Sequence, residues 1–123
     1  MIEGVIITKK KQFQDERGKI MHMMRNDDPI FKKFGEVYFS SVFPNQVKAW
    51  HLHKDMTLNY AVVFGIVKIV LFDDRKNSKT YGEIQEIILS NDNYCLVTIP
   101  PLIWNGYKST NDNMSIISNC SDI

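Results

Sequence analysis

The sequence predicts an all-β domain closed into a jelly roll, and three observations carry that prediction. Turn-forming clusters recur at intervals of roughly 8–12 residues, the spacing of β-sandwiches and barrels. Between them lie runs rich in Val, Ile, Tyr and Phe, which suit pleated, half-buried surfaces. A single short stretch carries helix signals, and no internal repeat or low-complexity tract appears. Among closed antiparallel arrangements a jelly roll is the most economical, because it leaves few strand edges exposed.

Val5-Ile6-Ile7 begins the first strand, and Lys9-Lys10-Lys11 reads as a solvated strand edge rather than a binding arm. Asp15-Glu16-Arg17-Gly18 is the first turn and Arg25-Asn26-Asp27-Asp28-Pro29 the second. One short helix is expected next. Asp28 suits the N-cap, Pro29 the first helical position, and Gly35 the far end after Ile30 to Phe34. Strand-like segments follow over Glu36 to Val42, Val47 to Lys54, Leu58 to Val63 and Ile66 to Phe72, with turns at Pro44-Asn45 and Phe64-Gly65. Further turns fall at Asp73 to Lys79, Ser90 to Asn93, Pro100-Pro101 and Asn111 to Asn113. Asn105-Gly106 also reads as a tight hairpin turn, since Asn-Gly is a strong turn signal.

With 15 Lys and Arg against 14 Asp and Glu, the net charge is +1, without the basic excess of a nucleic-acid binder. At 44% hydrophobic and 11% aromatic, the 123 residues can bury a core as one domain over 1–123. No run approaches the ~20 apolar residues of a membrane span, and no signal peptide opens the chain. A cytoplasmic protein with no membrane partner is therefore expected. Cys95 and Cys120 are expected to be reduced core thiols.

Val47 to Lys54 is the chemically dense stretch. In an extended strand Ala49, His51 and His53 share one face, while Trp50 and Leu52 take the other. Two imidazoles lining a barrel can bind a metal or move protons. The competing reading, a polar outer face, would place Ala49 outside with the histidines and send Trp50 and Leu52 inward. No metal is expected. Thr57 and Leu58 stand where a jelly-roll metal site needs its carboxylate, Asp55 comes too early, and His22 is the only other histidine. Two ligands fall short of the three protein donors a catalytic metal typically needs.

Four pieces follow one another along the chain: Asp15-Glu16-Arg17-Gly18, Lys48-Ala49-Trp50-His51, Gly65-Ile66-Val67 with Asp73 to Gly82, and Ile99 to Tyr107. In that order they resemble the dTDP-4-dehydrorhamnose 3,5-epimerases and related nucleotide-sugar isomerases of the cupin superfamily. The Ser78-Lys79-Thr80-Tyr81-Gly82 stretch is the most distinctive. The resemblance implies a cupin-type jelly roll, a dTDP-4-keto-6-deoxyhexose type of substrate, no cofactor, and a homodimer that exchanges an N-terminal strand. It also implies that His51 is the catalytic base, removing a proton made acidic by the neighbouring ketone. Histidine suits this role because its ordinary pKa of about 6.5 lies near working pH. Lys48 stands where the family has Arg, as a cation for the developing enolate, but has the opposite strand parity to His51. A bulge is needed for both to face the sugar.

Further substrate contacts are implied at Arg17, Tyr38, Ser40, Asn59 and Asn105, with His53 beside the base. Arg17 reads equally well as a turn residue paired with Asp15 or Glu16, and Arg75 as a brace for its loop through Asp73 or Asp74. The Met21, Met23 and Met24 cluster reads as packing. The family's tyrosine acid has no counterpart in Met114 to Asn119, and its C-terminal aspartate has none in these residues. Asn105 replaces a second histidine and Asn59 a lysine; Tyr60 or Tyr107 could supply the missing phenol. His51-Leu52-His53-Lys54 is also similar to the His-x-His-Lys of sugar 3,4-ketoisomerases. The resemblance thus implies one of three activities: epimerase, 3,4-ketoisomerase, or an inactive sugar-nucleotide-binding cupin.

Overall fold

The computed structural model describes all 123 residues. Its strands are β1 (Ile6–Lys9), β2 (Gln12–Asp15), β3 (Gly18–Met21), β4 (Glu36–Val42), β5 (Val47–His51), β6 (Leu58–Phe64), β7 (Val67–Asp73), β8 (Ile84–Leu89), β9 (Cys95–Ile99), β10 (Ile103–Ser109) and β11 (Ser115–Ser121). They form a five-stranded sheet in the order β1-β9-β6-β11-β4 and a four-stranded sheet in the order β5-β10-β7-β8, with β2 and β3 as a separate hairpin. Every strand pair is antiparallel. The jelly-roll prediction holds. No helix is long and apolar enough to cross a membrane.

Alternation builds the core. In β7, Val67, Ile69, Leu71 and Asp73 are buried while Lys68, Val70 and Phe72 are only half-buried, so one face turns to the opposite sheet. Leu58, Tyr60 and Val62 do the same from β6, and Val97 and Ile99 from β9. Each fully buried Ile or Leu stabilises the fold by roughly 1.5–3 kcal/mol before entropy is counted. All of β9 is buried, because the segment after β3 covers the outer face of its sheet. There Met21, Met23, Met24 and Ile30 pack on Ala61, Tyr94 and Leu96, so the methionine cluster is packing, as read.

The expected helix over Pro29 to Phe34 does not form; two tight turns take its place. Asp28 does not cap forward. Its carboxylate accepts backwards from the Arg25 N–H at 2.8 Å and from Lys10 Nζ at 2.8 Å. Phe31 N–H reaches the Asp28 carbonyl at 3.0 Å in a three-residue step, and the chain then runs extended into β4. Six residues cannot offset helix nucleation when the best cap is engaged elsewhere.

The distinctive 73–82 stretch is a brace. The buried Asp73 carboxylate accepts from Arg75 Nε at 2.8 Å, Ser78 Oγ at 2.6 Å and Thr80 Oγ1 at 2.6 Å. Arg75 Nη2 continues to the Glu3 carbonyl at 2.6 Å, tying the loop to the N-terminus. Arg75 is structural, through Asp73, as the sequence indicates.

Candidate active site

β5 is the edge strand of the smaller sheet and carries the irregularity that its residue parity demands. Asn105 pairs with His51 and Tyr107 with Lys48, so two steps along β10 span three along β5. Cross-strand partners share a face. The bulge therefore brings Lys48 and His51 onto the inner face with Asn105 and Tyr107. It also overturns the expected placement of Ala49 beside the histidine. Ala49 lies over Gly106, whose added Cβ would come 2.6 Å from the Ala49 Cβ. Asn105-Gly106 is thus no hairpin turn. It lies mid-strand in β10, with Gly106 opposite Val70, and the glycine is needed for close approach of the bulge. Trp50 takes the outer face, opposite His51 as its parity indicates, where it lines an apolar groove with Val70, Phe72, Ile84 and Trp104.

Polar contacts tie the two sheets together where their edge strands β4 and β5 face one another. Lys48 Nζ donates to Ser40 Oγ at 2.8 Å, and Tyr107 Oη donates to the same oxygen at 3.0 Å. Deeper, Tyr60 Oη donates to Asn105 Oδ1 at 3.0 Å, and Asn105 Nδ2 reaches the His51 carbonyl at 3.4 Å. The Tyr107 ring lies 6.4 Å from the His51 ring, centroid to centroid, and meets Tyr60 edge-on at 5.7 Å. His51 is exposed at the surface of this cluster, while Tyr60 and Tyr107 are buried.

Burial drives the electrostatics. It pushes the Tyr60 phenol far above its ordinary pKa, and the nearby Tyr38 and Tyr107 phenols add to the shift. Burial also raises Tyr107, partly offset by the Ser40 hydrogen bond. Both phenols are therefore neutral acids at physiological pH. The site pairs an accessible imidazole with protonated hydroxyls and a cation, as carbon-acid proton transfer requires. No three His, Cys, Asp or Glu side chains converge to hold a metal ion.

Of the expected site residues, the fold gathers His51, Lys48, Ser40 and Asn105, with Tyr38 near enough to Tyr60 and Tyr107 to act on their phenols. His53 lies past the end of β5, its carbonyl accepting from Leu102 N–H at 2.8 Å. Asn59 is a correction. Its side chain accepts from Thr98 Oγ1 at 2.7 Å and donates to the Cys120 carbonyl at 3.0 Å, so it is committed within the fold. Alternation turns Asn59 to the opposite face of β6 from Tyr60. Arg17 sits on the β2–β3 hairpin, 83% exposed and paired with Asp15 at 2.6 Å, and does not meet His51 within one chain.

The family described as dTDP-4-dehydrorhamnose 3,5-epimerase matches residues 1–123. The chain belongs to that family. It is 32% identical over 108 residues to the spore coat polysaccharide biosynthesis protein SpsL of Bacillus subtilis strain 168, covering 88% of this chain and 72% of the relative. The crystal structure of a dTDP sugar isomerase from Desulfovibrio desulfuricans G20 superposes with a TM-score of 0.97 at 42% identity, covering 99% of this chain and 78% of that one. A sugar 3,4-ketoisomerase, QdtA of Thermoanaerobacterium thermosaccharolyticum, has the same fold at a TM-score of 0.80 and 22% identity, covering 100% and 83%. Sequence reasoning missed one inner-face residue of this epimerase-family chain, Asn119. It pairs with Tyr38 on one side and Tyr60 on the other. Its side-chain oxygen Oδ1 accepts from the Asn59 N–H at 2.9 Å, while its side-chain Nδ2 is buried without a partner. An unsatisfied buried donor is costly, about 1–3 kcal/mol. Only strand register reveals it.

Proposed function

We propose that the chain, as one domain over residues 1–123, isomerises a dTDP-4-keto-6-deoxyhexose-type sugar nucleotide with His51 as the base. The observation carrying this is the β5 bulge, which sets His51 and Lys48 on one face with Tyr107. His51 takes a proton from the carbon next to the ketone. The C–H electron pair becomes the C=C bond, and the carbonyl π pair moves to oxygen as an enolate. A buried neutral phenol, Tyr107 beside the imidazole, returns a proton to carbon. The phenolate then regains a proton through solvent from the imidazolium, so nothing is consumed. Return from the face opposite His51 gives epimerisation.

Homodimerisation belongs to the same proposal. Phe13 and Ile20 face each other across the β2–β3 hairpin and are 55% and 65% exposed, an apolar pair suited to a second copy. On that reading Arg17 would contact the nucleotide phosphates in the partner's site. The test is incubation with a 4-keto-6-deoxy sugar nucleotide in heavy water, followed by proton NMR. Deuterium entering C3 or C5, and abolished by His51→Ala, supports the reading. A ketone migrating to C3 would replace it with ketoisomerisation, and tight binding without exchange with an inactive binder.

A further inference from the structure

Ser40 is the side chain on which the cation and the buried phenol of this site converge. Lys48 Nζ lies 2.8 Å from Ser40 Oγ, and Tyr107 Oη lies 3.0 Å from it. An ammonium group only donates, so Lys48 occupies one lone pair of the serine oxygen. Burial keeps the Tyr107 phenol protonated, and its proton is directed at the same oxygen. A hydroxyl oxygen has two lone pairs, and both are now filled. The proton of Ser40 therefore points to neither neighbour. Ser40 stands on β4, an edge strand, opposite Ile117, on the face of Val42 and half-buried. Its remaining donor is therefore free for a ligand beside Lys48 and Tyr107.

We propose that Ser40 is the oxyanion donor of the reaction, hydrogen-bonding the substrate's carbonyl oxygen as it becomes an enolate, and that Lys48 acts on the substrate through Ser40 rather than by direct contact. This role rests on the His51 reading above. During proton abstraction Ser40 keeps its proton and donates a hydrogen bond that strengthens as charge grows on oxygen. Lys48 polarises that hydroxyl from behind, and Tyr107 fixes its direction during proton abstraction, before the phenol turns its own proton to carbon. The arrangement also explains how a lysine can serve where a two-pronged grip on oxygen is lost. The serine, not the ammonium, supplies the directed contact.

The test is a double-mutant cycle read as kcat and KM in the deuterium-exchange assay. Ser40→Thr keeps the hydroxyl and Ser40→Val removes it at matched volume, so the pair isolates the hydrogen bond from packing. Ser40→Val is expected to lower kcat about 10²–10³-fold, the usual loss for one oxyanion donor, with KM changed far less. Ser40→Thr should recover most of that rate. Lys48→Met alone should also lower kcat, but in the Ser40→Val background it should cost less than about 3-fold more, because its route to the substrate is gone. Equal rates for Ser40→Val and Ser40→Thr would overturn the role, as would a Lys48→Met loss undiminished in the Ser40→Val background. Wild-type protein without exchange would sink the His51 reading and this role with it, whereas normal wild-type exchange with a silent Ser40→Val sinks only the latter.

Discussion

Gly106→Ala adds one methyl group where β10 passes beneath the β5 bulge, and its consequence can be worked out from the backbone. The new Cβ would stand 2.6 Å from the Ala49 Cβ, 3.3 Å from the Ala49 Cα and 3.4 Å from the Lys48 carbonyl oxygen. Carbon atoms pack best at about 3.5–4.0 Å, so the bulge must retreat by roughly 1 Å. Overpacking of this kind costs about 1–3 kcal/mol, readable as a lower urea midpoint with an unchanged slope. Activity should suffer more than stability. Lys48 precedes the displaced Ala49 and His51 follows two residues on, and a shift of about 1 Å in a reacting group can cost about 10²-fold in rate. Ala49→Gly removes the clashing methyl, so the Gly106→Ala/Ala49→Gly double variant should recover most of both losses. A Gly106→Ala protein with wild-type midpoint and exchange rate would refute the idea that close approach fixes the catalytic face. So would a double variant no better than the single.

Asp73→Ala strands the Arg75 guanidinium and two hydroxyls, and should cost about 3–5 kcal/mol in urea unfolding; a loss below about 1 kcal/mol would show that the brace is dispensable. The same hydrogen bonds hold the Asp73 carboxyl well below its ordinary range, with the Arg75 contact the largest cause. The unfolded chain therefore takes up the proton first as pH falls, so wild-type stability should decline below about pH 4, and less steeply in Asp73→Asn. Tyr60→Phe leaves the buried Asn105 oxygen without its donor, for a loss of about 1–3 kcal/mol by the same measurement, and an unchanged midpoint would show another donor in its place. Arg17→Ala should leave the thermal midpoint unchanged, because the Asp15 pair is exposed, yet raise KM for the sugar nucleotide. Unaltered KM would remove Arg17 from the proposed partner site.

Local pattern settles a good deal of this protein. The alternating Val67 to Asp73 run buries every second residue because strand geometry sends neighbours to opposite faces, and that is visible in any window of the chain. Likewise the Asp73, Arg75, Ser78 and Thr80 spacing closes into a brace within eight residues, so Arg75 could be read as structural before any fold was known. Parity even demanded a bulge if Lys48 and His51 were to work together, though it could not place one. The rest depended on partners far away in sequence. Asp28 looked like a helix cap because local rules do not know that Lys10 lies beside it. Asn105-Gly106 looked like a turn because nothing nearby reveals Ala49 above the glycine. Asn59 looked like a ligand until Thr98 and Cys120 claimed its amide. Tyr60 with Asn105, Tyr107 with Ser40, and the orphaned amide of Asn119 arise where two sheets close on each other. Hydrogen bonds between strands 45 or 67 residues apart are decided by register across the barrel, and register is a property of the assembled sheets.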